Sequence, residues 1–445
     1  MRKSSVILLV VLLGALCLSG ASFVAGIGFG WYGKSLLSSS AVAIDARPPT
    51  LPSGSQAAEA AQTRTPAQAE DTTTRLYEQA VADSRLQVFS EAWELIGRDF
   101  YSEQPLDYRE AAYGAIRGLI GTLEDPHTSF VEPPQHELDK SGYEGKFGGI
   151  GAYIGMTEQG QPFVSAVMPG QPAEAAGLRS GDVIVKVDGQ SLDGRSQDEV
   201  VLLIRGPVET TVTLTIRREG TASLLDIAII RAEIKQTTVS WEALDDGRVG
   251  YVQLTFFAEP TGSELAEALR EIGDLGISRI ILDLRGNRGG LLSSSGEVAS
   301  QFLAGGVLLH ERQRGAAGET IEQAYMIPDF AQAHTDERLV VLVDRGTASA
   351  AEIVAGAIQD YERGILIGET TYGKGSMQYV HELSDGSSLH VTAAHWLTPH
   401  KRPINGQGLA PDIEVGRSAE DIQARRDPQL ERALLYLSES SEIGR

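Results

Sequence analysis

The chain has 445 residues, a length that predicts about three domains, and carries 38 Lys plus Arg against 60 Asp plus Glu, a formal net charge of −22. That balance argues against a nucleic-acid partner, which needs a basic footprint, and a hydrophobic content of 42% argues against global disorder. The single cysteine, Cys17, excludes a disulfide framework, a Cys-rich zinc site and an iron–sulfur cluster. It lies in an apolar N-terminal run, which argues against a thiol nucleophile.

Arg2 and Lys3 precede a stretch without charge that lasts until Lys34. Residues 6–32 are long enough to span a bilayer, which takes about 20 apolar residues, and longer than the apolar region of a secretory signal. Trp31 and Tyr32 fall where an interfacial aromatic pair belongs. The pattern favours an uncleaved transmembrane anchor over residues 1–34, with a signal cleaved near Ser19-Gly20-Ala21 as the alternative. The positive flank stays inside, so the body is expected outside the cytoplasm, periplasmic or extracellular. Residues 35–72 are rich in Ser, Ala, Pro, Thr and Gln and read as a flexible tether.

Residues 73–134 read as a helical region. Leu86, Phe89, Trp93, Ile96 and Phe100 recur at helical steps and predict one buried face. A second helix is expected from Tyr108 to Leu123, stopped by Asp125-Pro126. Residues 135–232 are β-patterned, with runs at Phe163–Val167, Asp182–Val187 and Val212–Ile216 and a short helix at Gln197–Ile204. Residues 233–418 alternate strands and helices, including the almost wholly apolar runs Ile280–Leu284 and Leu339–Val343. They predict an α/β core, a layered mixed sheet with helices. In residues 419–445, Asp427-Pro428 opens a helix to Leu437, which suits either pairing of subunits in a homo-oligomer or packing on its own domain.

Three segments carry chemistry. In Asp344-Arg345-Gly346-Thr347-Ala348-Ser349-Ala350-Ala351-Glu352 a buried strand ends, a turn follows, and Ser349 opens a helix. A hydroxyl there is exposed at the carboxyl edge of the sheet, near helix N–H groups; taken alone, such a serine is more often a helix cap. In Gly373-Lys374-Gly375-Ser376-Met377-Gln378 a lysine stands between two glycines, where backbones can approach closely; it can act as a base only if burial or charge lowers its pKa. In Asp283-Leu284-Arg285-Gly286-Asn287-Arg288-Gly289-Gly290 a strand ends in a turn whose N–H groups suit an anion, or make a simple tight turn.

In this order the three segments resemble the carboxyl-terminal processing peptidases, or tail-specific proteases. Ser349 and Lys374 lie 25 residues apart, Gln378 follows the lysine by four, and the likeness extends to Leu123-Glu124-Asp125-Pro126-His127-Thr128-Ser129-Phe130 and to Gly406-Gln407-Gly408-Leu409-Ala410-Pro411-Asp412. Arg288, Ala351 and His400-Lys401 depart from the family's usual residues. The resemblance implies an exported serine endopeptidase working without cofactor or metal. In it Ser349 is the nucleophile, Lys374 the base and Gln378 its orienting partner, while Ala350 with Gly289 or Gly290 forms the oxyanion hole. Gly149-Ile150-Gly151-Ala152, followed by Pro172-Ala173-Glu174-Ala175-Ala176-Gly177-Leu178, looks like the carboxylate loop of an inserted PDZ domain. That implies substrates with free C-terminal tails, bound by strand addition. A catalytically silent tail-binding protein is the alternative. Eight histidines are present without a His-Glu-x-x-His motif, which argues against a zinc peptidase but leaves a Ser-His-Asp triad open; His127 and Glu352 read as structural residues.

Overall fold

A computed structural model describes residues 84–315, 318–330 and 333–439. The expected anchor and tether lie outside the described residues. Among the described residues no helix is long and apolar enough to cross a membrane.

The described chain divides at Leu123 into two compact units. The first holds the helices Ser84–Asp99 and Tyr108–Gly121. The second helix opens on Asp107, whose carboxylate takes the N–H groups of Arg109 and Glu110. It closes at Thr122, short of the expected stop, because the Thr122 hydroxyl donates to Leu119 O. The expected buried face of the first helix is not buried: Phe89 and Ile96 are 50% and 53% exposed. Within the described residues of this unit two helices are too few to enclose a full apolar face, and Trp93 meets Phe89 and Tyr108 in tilted ring contacts.

The second unit is built on a six-stranded sheet. Its strands, in spatial order, are Val239–Leu244, Val249–Leu254, Arg279–Asp283, Arg338–Val343, Ile365–Gly368 and Ile413–Glu414. The first pair is antiparallel and the rest are parallel. Ile280, Ile281, Leu282, Val340, Val341 and Leu342 are all at most 1% exposed, because helices cover both faces. On one face the helices Thr261–Asp274, Leu292–Ser300 and Ala350–Asp360 share a core with Leu254, Leu282 and Val341. On the other, Ala433 and Leu437 of the helix Pro428–Glu439 pack on Ile281, Val340 and Ile367. The terminal helix therefore packs on its own domain. A second, antiparallel sheet joins Ser129–Val131, Ser388–Leu397, Val307–Arg314 and Thr320–Met326, with Ser376–Glu382 also on Ser388–Leu397. The sequence reading did not anticipate it.

Between residues 149 and 232 a β-rich body has its own core around Val164, Val212, Leu214 and Ile216. Its five-stranded path runs Ala152–Met156, Pro162–Val167, Val183–Val187, Thr211–Arg217 and Leu225–Ile230. The ribbon Lys146–Gly149 with Ala232–Lys235 pairs the two ends where this body leaves the rest of the chain. A helix, Pro133–Glu144, precedes it where β-patterned chain was expected from residue 135. Tyr143 on that helix stacks on Phe256.

The parallel register aligns three strand ends. Asp283 lies opposite Leu342, and Val343 opposite Gly368. The three chemistry-bearing segments thus leave neighbouring strands at one carboxyl edge, where open α/β sheets place their sites. Arg285 braces this edge: it chelates Asp283 and reaches Asp427 and Gln429 at the start of the terminal helix. Asp283 is 2% exposed and also takes the Tyr251 hydroxyl. Replacing Arg285 by Met strands a buried carboxylate, and is expected to lower the unfolding free energy by about 3–5 kcal/mol in denaturant titration.

Candidate active site

Ser349 caps the helix Ala350–Asp360 with φ 57° and ψ −120°. An ordinary cap serine has extended backbone at negative φ. A non-glycine residue in this region is strained, and such strain persists only where the surroundings impose it. Here the surroundings are identifiable. Ala348 N–H donates to Asn287 O, Thr347 Oγ1 donates to Leu284 O, and Tyr372 N–H donates to Thr347 O. Both neighbouring strand ends therefore grip the serine turn.

Gly289 closes on the serine from the side. At φ 100° it leaves no room for a side chain: a Cβ there would lie 2.8 Å from Ser349 Cβ and 2.9 Å from Ala350 N. Asn287 shapes this turn by donating Nδ2–H to Leu254 O and accepting the Gly289 N–H on Oδ1, at 2.7 and 2.9 Å.

Glu352, fully buried one helical turn past Ser349, joins the serine to the lysine segment. Its Oε2 accepts the N–H groups of Ser349 and Lys374, each at 2.9 Å. Its Oε1 accepts the Gly373 N–H at 2.7 Å and the Thr371 hydroxyl at 2.5 Å. Burial raises the Glu352 carboxyl above its ordinary value, and these four donors oppose that rise.

Lys374 is 2% exposed. Burial pushes its ammonium down to about 8, against the attraction of Asp125 and Glu352. The flanking glycines hold it there. A Cβ on Gly373, at φ 87°, would lie 2.7 Å from Gly408 N, and one on Gly375 would lie 2.8 Å from Asn405 N. The late segment 406–412 thus backs the lysine loop. Trp396 Nε1–H adds a hydrogen bond to Lys374 O at 3.1 Å.

The expected pairing of Gln378 with Lys374 is not formed. The Gln378 amide donates Nε2–H to Ser376 Oγ and Thr392 Oγ1, and its Oε1 is buried without a hydrogen-bond partner. A bulge between Met377 and Gln378 in the strand pair turns this side chain toward Thr392. Ala350 N–H lies in the first helical turn, where helix geometry supplies no acceptor. Gly290, at φ 140°, meets Phe257 in a parallel bridge. Gly149 ends its strand, Gly151 takes φ 73°, and Ala152 opens the edge strand of the β-rich body. That edge lies beside the helix Gln197–Ile204, whose Gln197 Nε2–H donates to Ile154 O.

Residues 248–415 match peptidase family S41, and residues 163–218 match a PDZ domain. The chain is 36% identical over 354 residues to the carboxyl-terminal-processing protease of Synechocystis sp., covering 78% of this chain and 81% of that protein. The chain belongs to peptidase family S41, a family of serine peptidases. It is also 35% identical over 332 residues to a probable CtpA-like serine protease of Staphylococcus aureus, covering 75% of this chain and 65% of that relative's length. Among solved structures, the photosystem II D1 C-terminal processing protease matches at 32% identity over 75% of this chain and 94% of that one, with a TM-score of 0.43.

Glu352, expected as a structural residue, joins the serine and lysine segments through its hydrogen bonds. Replacing Glu352 by Gln keeps the shape but turns one acceptor into a donor against N–H groups. Peptidase turnover is expected to fall by about a hundredfold, with a loss of roughly 1–3 kcal/mol in stability, measured by peptide hydrolysis and thermal unfolding.

Proposed function

We propose that this S41 peptidase cleaves peptide bonds with a Ser349–Lys374 dyad, on substrates whose C-terminal tails are captured by the PDZ domain. One observation carries the reading: a single buried carboxylate oxygen, Glu352 Oε2, accepts from the backbone of both the strained serine and the buried lysine. The chemistry follows from protonation. Neutral Lys374 takes the Ser349 proton as Oγ attacks the scissile carbonyl, then returns it to the leaving amine. The oxyanion is met by Ala350 N–H and by Gly290 N–H, since the Gly289 N–H is spent on Asn287. Water then hydrolyses the acyl-serine by the same steps in reverse. Tail capture would add the substrate as a strand on Ala152–Met156, with its carboxylate on the 149–152 loop.

The apolar run at residues 6–32 supports a membrane-anchored body outside the cytoplasm, with secretion after cleavage as the alternative. The exposed apolar side chains of the helix Ser84–Asp99 support a homo-oligomer.

Ser349→Ala protein is expected to release no fragments from a tailed test peptide that wild type cleaves at a defined bond; product sequencing decides it, and wild-type fragments from the variant would refute the dyad. Lys374 also sets a pH dependence. Its folded pKa, about 8, lies below the unfolded value of 10.5. Between the two the unfolded chain binds more protons, so stability rises with pH through that window, and below it the buried ammonium is a standing cost. The rate should therefore climb with an acid limb near 8. Lys374→Met should abolish turnover yet raise the melting temperature at neutral pH, and a melting temperature lowered at all pH values would contradict this.

A further inference from the structure

The turn Asp125-Pro126-His127-Thr128 lies outside the three segments at the carboxyl edge, yet its hydrogen bonds lead to Gln378. Asp125 Oδ1 accepts the His127 N–H at 3.1 Å; Oδ2 accepts the N–H of Thr128 at 3.0 Å and its hydroxyl at 2.6 Å. Thr128 Oγ1 in turn accepts the Thr392 N–H at 3.1 Å. This locks the turn onto the strand Ser388–Leu397, where Ser129 already pairs with His390. The Thr392 side chain also helps hold the Asp125 carboxyl below its ordinary value. Across the neighbouring strand pair, Gln378 stands opposite Thr392.

The direction of these bonds is forced. An ionised carboxylate only accepts, and a hydroxyl has one proton to give. The Thr128 proton goes to Asp125, so Thr128 Oγ1 meets the Thr392 N–H as an acceptor, and Thr392 Oγ1 in turn accepts from Gln378. Gln378 must then present its NH₂ group there, as the bond from Nε2 at 3.1 Å shows. Its second N–H is taken by Ser376 Oγ. The carbonyl end is left over: Gln378 Oε1 is buried without a partner. A buried acceptor left unmet costs stability and calls for a donor.

We propose that Asp125 is a positioning residue: through Thr128 and Thr392 it fixes the Gln378 amide with its carbonyl oxygen reserved as the acceptor for the Lys374 ammonium formed during turnover. This deepens the dyad reading and rests on it. Without Asp125 the Gln378 amide can turn over and offer N–H groups to a cation. Asp125 has a second, separable effect, because its charge also acts on Lys374. Among the described residues, other charged or titratable groups that bear on the lysine include Glu352, His127 and His390. Burial would raise the Asp125 carboxyl, but the hydrogen bonds from Thr128 and His127, with the nearby Thr392 side chain, outweigh that and hold it below its ordinary value.

The test compares full-length wild type with Asp125→Asn, Thr392→Val, Thr392→Ser and Ser349→Ala on one tailed peptide, recording kcat, KM and the pH profile. Asp125→Asn and Thr392→Val should each lose roughly ten- to a hundredfold in kcat, with KM little changed, while Thr392→Ser, which keeps the hydroxyl, should retain activity. Asp125→Asn, but not Thr392→Val, should move the acid limb to lower pH, since removing a negative charge favours the neutral lysine. Wild-type kcat in Thr392→Val would overturn the proposal. So would a loss in Thr392→Val that Thr392→Ser shares, or an acid limb unmoved in Asp125→Asn. Activity remaining in Ser349→Ala would instead overturn the dyad itself, so the two failures are told apart.

Discussion

The site depends on one buried carboxylate. Glu352 has no contact with solvent, and an ion in that position is tolerable only when hydrogen bonds replace its water. Four donors do so, and three of them come from the lysine loop rather than from the serine's own helix. The charge thus serves as a buried staple between two strand ends, which the more exposed Arg345–Glu369 ion pair also joins. It also bears on the backbone of Ser349. The N–H of that residue is drawn onto Glu352 at a positive φ, and the neighbouring Gly289 leaves no room for a side chain of its own.

Lys374 shows the opposite solution to burial. Burial lowers the pKa of its ammonium, and the attraction of Asp125 and Glu352 keeps that fall moderate. A base is most effective when its pKa lies near the working pH. In the proposed dyad, desolvation set against two charges that are themselves pinned by hydrogen bonds brings Lys374 to that point. Stability is given up for this, as at other sites where a group is held away from its preferred state.

Much of this was legible in the sequence. Ile280–Leu284 and Leu339–Val343 read as buried parallel strands because both faces are covered, which leaves an uninterrupted apolar run. Ser349 and the 283–290 turn stand out because each follows such a strand, and Lys374 because it stands between two glycines; parallel register then brings the strand ends together. The antiparallel sheet was not legible: Val307–Arg314 and Ser376–Glu382 mix buried apolar residues with His310, Glu311, Gln378 and His381, so no period of two emerges. Nor was the helix Pro133–Glu144, which buries no residue fully and so shows no apolar stripe. The partner of Gln378 depends on a bulge, and a bulge reverses facing in a way that spacing cannot show. Glu352 looked like one more helix acid, because its donors come from residues 371–374, a separation along the chain that no local pattern encodes.

The most direct measurement is the pH dependence of covalent labelling by a serine-directed fluorophosphonate, with the modified peptide located by mass spectrometry. The account predicts a single adduct on Ser349, formed at a rate that rises with an apparent pKa near 8 and collapses in Lys374→Met. An adduct elsewhere, or a labelling rate indifferent to the loss of Lys374, would contradict it.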